Sequence, residues 1–318
     1  MTTIERVSEP LFETAPEGVE LDDFTPTGRL ETARRTLVIV SYNIRYAVGS
    51  FLITGSIGRR LGLRRPKRRP LLVERHLESA ALALSNGVRL PVADIVALQE
   101  ADKRTMRAGG HDVARELASR LRMRYARAAA ETPHDEEPKS KQWYLDFEEH
   151  MEAGEEGDTG VAILSSLPFA GVARIDLPWS DCAWRPKLAL AARVESQGRA
   201  LHVFNSHIDP HATIEGQLEQ HGAILSMTRD LQGAVVLLGD FNTLSKRSCL
   251  EMRRLLESHG FTTPFATGEA TWRAGLIRLH TDWIFVRGAK VKRCGVARGL
   301  SVSDHWPVWA EVELTEEA

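Results

Sequence analysis

Residues 234–242 read Ala-Val-Val-Leu-Leu-Gly-Asp-Phe-Asn. Five aliphatic residues without polar alternation describe a strand covered on both faces, as in a sheet held between other layers. Gly239 frees the chain to turn sharply, so Asp240 and Asn242 follow at a strand end where both can face one cleft. Similar runs rich in β-branched and aliphatic residues occupy 36–43, 93–98, 161–164, 188–194, 201–205, 282–286 and 307–314. Apolar residues recur at helical spacing over 71–84, 111–122, 213–229 and 247–259. About eight strands alternating with helices predict an α/β fold with sheets buried between helical layers.

The composition is that of a globular protein: 43% of the 318 residues are hydrophobic and 26% charged. Lys and Arg total 41 against 43 Asp and Glu, a formal net charge of -2, so no global field draws the chain to nucleic acid or membrane. Three cysteines, Cys182, Cys249 and Cys294, at long unpatterned spacings exclude a disulfide framework and a cysteine-built zinc site, and a reducing cytoplasmic setting is expected. Residues 1–30 are acidic, with apolar residues only scattered, and are expected to form a disordered tail ahead of one domain over 31–318. The weakly polar stretch 46–57 is too short to span a bilayer, so no transmembrane segment is expected.

Two inserts interrupt the pattern. A basic insert at about 46–75 carries Arg59, Arg60, Arg64, Arg65, Lys67, Arg68, Arg69 and Arg75 against the single acid Glu74. An acidic insert at 131–158 holds eleven carboxylates, with Lys139 and Lys141 as its only Lys or Arg residues. The basic segment can track polynucleotide phosphates, hold anionic lipid head groups, or pair with the acidic insert of the same chain.

Chemistry-bearing residues gather where the predicted strands end: Ser41-Tyr42-Asn43, Gln99-Glu100, Asn205-Ser206-His207, Asp240-Phe241-Asn242 and Ser303-Asp304-His305. A sixth group, Thr281-Asp282-Trp283, opens a strand instead. Loops after strands are where α/β folds place their sites. Four carboxylates with histidines and amides suit a hard divalent cation and an anionic, oxygen-rich substrate.

The segments VIVSYNIR, DIVALQE, GVAILSSLP, LHVFNSHID, VVLLGDFN, TDWIFV and SDHWPV, in that order over most of the chain, resemble the motifs of the endonuclease/exonuclease/phosphatase superfamily. This is the fold shared by DNase I-like nucleases, exonuclease III-like repair enzymes, neutral sphingomyelinases and inositol polyphosphate 5-phosphatases. The resemblance implies a four-layer α/β/β/α sandwich of two packed, mixed, largely antiparallel sheets. It also implies metal-assisted in-line attack of water on a phosphoester, with Mg²⁺, or Mn²⁺ in its place, as cofactor.

By the same resemblance, Glu100 is the principal metal ligand, with Asn43 and Asp304 completing the metal environment. Asp240 orients or deprotonates the attacking water, and Asn242 contacts phosphoryl oxygens. His305, held by Asp282, donates to phosphate, and His207 stabilises the transition state. Trp272, Arg278 and Arg185 are expected substrate contacts. His280 and Thr281 depart from the usual residues before the aspartate, while His202, His211 and His221 are expected to be packed or solvated. The expected activity is a phosphodiesterase or nuclease. The alternatives are a phosphatase or phosphodiesterase of a phospholipid or sugar phosphate, with anionic membrane contact through the basic insert, and a binding module without turnover. The sequence leaves oligomeric state open.

Overall fold

The computed structural model describes residues 11–27, 34–49, 68–130, 155–179 and 186–315. In chain order the elements are β1 (Val19–Asp23), β2 (Thr36–Asn43), α1 (Arg69–Ser85), β3 (Ile95–Gln99), α2 (Val113–Leu121), β4 (Arg124–Ala130), β5 (Thr159–Ser165), β6 (Phe169–Asp176) and β7 (Leu188–Ser196). They continue with β8 (Arg199–His207), α3 (Ile214–Thr228), β9 (Ala234–Asp240), α4 (Lys246–Ser258), β10 (Trp272–Ala274), β11 (Ile277–Leu279), β12 (Asp282–Arg287), β13 (Ala289–Val296) and β14 (Val308–Leu314).

One sheet has seven strands in the order β1-β4-β5-β3-β2-β14-β13, and the other has five in the order β12-β9-β8-β7-β6. Among the described strands only β2/β3 and β8/β9 pair in parallel; the other neighbours are antiparallel. The alternation along β2 assigns the layers, because successive side chains of a strand face opposite ways. Leu37 and Ile39 join the core shared with β7, β8 and β9 of the other sheet, while Val38, Val40 and Tyr42 pack with Val73 and Leu77 of α1 and Leu117 of α2. On the far side, Leu225 of α3 and Met252 and Leu256 of α4 join β9 and β12. The result is the expected α/β/β/α sandwich. Each large aliphatic side chain so removed from water contributes about 1.5–3 kcal/mol.

Residues 1–30 are not a disordered tail where the structure describes them. β1 adds to the edge of the seven-stranded sheet, with Val19 opposite Ala128 and Leu21 opposite Ala126. Its acids supply the attachment: Glu20 lies 2.6 Å from Lys103 Nζ and 3.5 Å from Arg127, and Asp23 3.2 Å from Arg124. Leu11 and Phe12 pack against the inter-sheet core. Residues 1–10 and 28–30 lie outside the described residues, as do most of the basic and acidic inserts and Arg185.

His202, His211 and His221 are all buried. His221, on α3, sits edge-on to Phe241 at 4.6 Å between ring centres, and burial pushes its pKa down to about 3. His280, stacked on Trp283 at 3.5 Å, is pushed down to about 4, again chiefly by burial. Both are neutral when folded, whereas an unfolded histidine takes a proton near pH 6.5. Unfolding therefore binds protons below that value, so this stability is complete above pH 6.5 and is lost as pH falls toward 4. Each contributes a slope of about 1.4 kcal/mol per pH unit within that window. Urea midpoints at pH 7.5 and 5 should differ less in His221→Leu than in the wild type. Equal differences would show that His221 does not carry the slope.

Candidate active site

The two sheets are joined beneath the site by side chains without solvent exposure. Gln99 Nε2, at the end of β3, donates to Asn205 Oδ1 of β8 at 2.7 Å. Asn205 Nδ2 returns the link to the carbonyls of Leu98 and Ala162 at 2.9 Å each. Buried amides hydrogen-bonded from one sheet to the other in this way fix their strands in one register. β2 and β3 of one sheet therefore deliver their ends beside those of β8 and β9 of the other.

Asn43 is the bridge between them. Its Nδ2 donates to Glu100 Oε1 at 3.1 Å and to Asp240 Oδ2 at 2.9 Å, and its Oδ1 accepts from the Arg45 backbone at 3.0 Å. Asp240 Oδ1 accepts from the Asn242 backbone at 3.1 Å, while Oδ2 lies 3.7 Å from His207 Nε2 and 3.8 Å from His305 Nε2. His305 Nδ1 is 2.9 Å from Asp282 Oδ2, which also accepts from Thr281 Oγ1 at 2.8 Å. Asp282 lies at the first position of β12, directly opposite Asp240 on β9.

Burial pushes the Asp240 carboxyl up to about 7; the neighbouring His305 opposes that shift and Asp282 adds to it. Burial acts downward on His305, but Asp282 and then Asp240 outweigh it and hold the imidazole up at about 10. A carboxyl that titrates near neutrality beside a persistently charged imidazolium is an acid-base pair set by its surroundings.

Gly239 serves a different purpose from the sharp turn expected of it. It lies within β9 at φ +146°, and a Cβ there would stand 1.9 Å from the Ser206 carbonyl oxygen of β8. The need is for close approach of two parallel strands, which only glycine permits. Left-handed backbone also concentrates here: of the eight non-glycine residues with positive φ among those described, Arg45, Tyr46, Ala47, Glu100 and Asn242 surround the site. Such conformations cost on the order of 1–3 kcal/mol each and persist where surrounding structure enforces them.

Asp304 and Asn242 are brought to the site but are already engaged. Asp304 Oδ2 accepts from Arg45 Nη1 at 2.8 Å and Trp272 Nε1 at 3.0 Å, and Oδ1 from Ser303 Oγ at 3.3 Å. Asn242 Nδ2, the atom a phosphoryl oxygen would use, donates to the Ile208 carbonyl at 2.8 Å. Trp272 lies beside His305, their rings 6.5 Å apart. Arg278 does not join the group; it donates to the Gly275 and Ile277 carbonyls of its own turn at 2.7 and 2.9 Å.

Sequence reasoning missed Arg45. It is 7% exposed and forms the buried ion pair with Asp304, and it stood two residues after Asn43 inside a motif already singled out. Nothing in the type or spacing of a loop arginine announces burial. Its left-handed backbone, φ 44°, is what the pattern could not show.

The donor set suits a hard cation. Glu100 is partly exposed, and among the described residues its Oε1 has only Asn43 as a hydrogen-bond partner, leaving Oε2 for a ligand. One ligand atom each of Asp240, Asp282 and His305 also fall within 4.8 Å of one another. Because His305 stands between two carboxylates as their cation, Glu100 is the better anchor for an ion that prefers oxygen.

Comparison with known proteins agrees with this geometry. The model of the Endonuclease/Exonuclease/phosphatase family matches residues 40–305. No curated protein matches the chain. Among solved structures, an endonuclease/exonuclease/phosphatase family protein from Leptotrichia buccalis is similar at 15% identity and a TM-score of 0.60, covering 87% of this chain and 99% of that one. ANGEL2, described as a 2',3'-cyclic phosphatase and solved with adenosine-2',3'-vanadate, is similar at 15% identity and 0.56, covering 88% and 96%. The catalytic domain of human Nocturnin, with bound sulfate, is similar at 16% identity and 0.54, covering 93% and 98%. With the match spanning most of its length and both sheets contributing to one cluster of acidic and histidine side chains, the chain belongs to the endonuclease/exonuclease/phosphatase family.

Proposed function

We propose that this phosphoester hydrolase is a Mg²⁺-dependent phosphodiesterase, acting on nucleic acid or a nucleotide-like diester. The observation that carries the reading is the convergence on Asp240 of Asn43, His207 and the Asp282–His305 pair, drawn from both sheets. Asp240, titrating near neutrality, accepts a proton from the attacking water. His305, kept charged by Asp282, offsets the negative charge that develops on the phosphoryl oxygens, and His207 faces the same region. The metal would be held at Glu100, with Asn43 and Asp304 around it and Mn²⁺ as a substitute; when bound it withdraws charge from a phosphoryl oxygen.

A second reading, a phospholipid as the diester, is favoured by the exposed apolar tip of the β10–β11 hairpin beside the site. The test is hydrolysis of a chromogenic phosphodiester beside the matching monoester, with and without chelator. Chelator-sensitive release from the diester alone is expected. Release from the monoester, or release that survives chelation, would overturn the reading.

A further inference from the structure

β10 and β11 form a two-stranded hairpin that stands apart from both large sheets, with Trp272 opposite Leu279, Arg273 opposite Arg278 and Ala274 opposite Ile277. Its root is fixed to the active site. The Arg273 backbone donates to the Asp304 carbonyl at 3.0 Å, Trp272 Nε1 to the Asp304 carboxylate at 3.0 Å, and the Thr271 carbonyl accepts from Trp306 at 2.7 Å.

Its tip is apolar. Leu276 is 98% exposed and Ile277 50% exposed, around a turn in which Gly275 takes φ +57°. Short hairpin turns favour Asn-Gly or Asp-Gly; here the turn residues are Gly275 and Leu276, and an aliphatic side chain in that place gains nothing from water. One residue pair below the tip, Arg273 and Arg278 face each other across the strands. Like charges directly opposite on a sheet repel. Neither has a carboxylate partner among the described residues, and both guanidiniums lie over the Trp306 ring, 5.1 and 5.8 Å from its centre. At about 3.4 Å per residue, the backbone of the Arg273–Arg278 pair sits a few ångströms behind that of the apolar tip.

An apolar tip backed by two unneutralised cations matches the order of layers in an anionic phospholipid surface, acyl chains beneath phosphates. A polynucleotide would satisfy the arginines but leave Leu276 and Ile277 without an apolar partner. Trp179, 49% exposed, follows β6 at the sheet end that also carries His207, placing a further apolar side chain on that end of the sandwich.

We infer that the β10–β11 hairpin docks the protein on anionic phospholipid surfaces, Leu276 and Ile277 entering the interface while Arg273 and Arg278 meet head-group phosphates. This names the surface required by the second reading above, and its test reads binding without turnover, so its failure leaves the phosphodiesterase reading standing. Full-length protein is sedimented with vesicles of phosphatidylcholine containing phosphatidylglycerol, with vesicles of phosphatidylcholine alone, and titrated in parallel with an oligonucleotide duplex. Binding to the anionic vesicles is expected, weakened about tenfold or more in the Leu276→Ser/Ile277→Ser double variant, because two aliphatic side chains then leave the interface. The same variant should hydrolyse a soluble chromogenic diester at the wild-type rate, which shows that it folds. Vesicle binding that is absent in the wild type, or unchanged in the double variant, would overturn the inference, as would binding to the duplex alone.

Discussion

Asp240→Asn is expected to lower kcat on the chromogenic diester by a factor on the order of 10² to 10⁴ while leaving the protein folded. The exchange keeps the shape of a side chain that is 1% exposed and removes its ability to take a proton. Its new amide would meet the Asn43 amide that now donates to Oδ2 at 2.9 Å, and His207 and His305 would lose the carboxylate they approach at 3.7 and 3.8 Å. Stability should fall far less than activity, because the lost contacts are offset in part by the loss of a buried carboxylate. Because burial raises the carboxyl to about 7, its ionised form is disfavoured in the folded chain, whereas the unfolded chain ionises near 3.9. Stability from this group is greatest below pH 4 and declines as pH rises toward 7, so a neutral amide removes that cost. Turnover with urea midpoints at pH 8 provides the check. Near-wild-type turnover would remove Asp240 from the mechanism.

Gly239→Ala is the second large effect, and it should strike folding before chemistry. The added Cβ would lie 1.9 Å from Ser206 O and 3.0 Å from Ser206 N, in a backbone region that side chains avoid. β8 cannot give way cheaply, since Asn205 is tied to Leu98 and Ala162 of the opposite sheet. A loss on the order of 3 kcal/mol or more is expected, from overpacking combined with strained backbone. Gly198→Ala is the control: φ is +72° there, but nothing lies within 4 Å of the added atom. It should cost only about 1–2 kcal/mol. Urea midpoints separate the two, and equal losses would mean that the contact between β8 and β9 is not what requires glycine at 239.

The strands and helices with strong patterns were legible before any coordinates. The apolar runs at 36–43 and 234–238 are strands because both faces are buried, and all four helices fall within two residues of their expected bounds. Several strands were missed for physical reasons. β4 reads Arg-Tyr-Ala-Arg-Ala-Ala-Ala, a composition that favours helix, and it is a strand because β1 and β5 supply ladders on both sides. β13 has no buried residue along its length, and β10 and β11 are three residues each, too short for any period to show. At the site, the residue types at the strand ends were readable. What they touch was not: that Asn43 bridges Glu100 and Asp240, or that Arg45 and Trp272 occupy Asp304, depends on two sheets meeting.

β1 bears on how the chain can be shortened. Composition alone would nominate the first thirty residues for removal, yet β1 closes the edge of the seven-stranded sheet next to β4. Deleting it would bare a ladder of unpaired amides and carbonyls, the surface through which sheets recruit one another into aggregates. It would also strip Glu20 from Arg127, a side chain with no solvent exposure that pairs with Asp158 as well. Loss of solubility, rather than loss of turnover, is how a clone trimmed to residue 31 would reveal what that strand does.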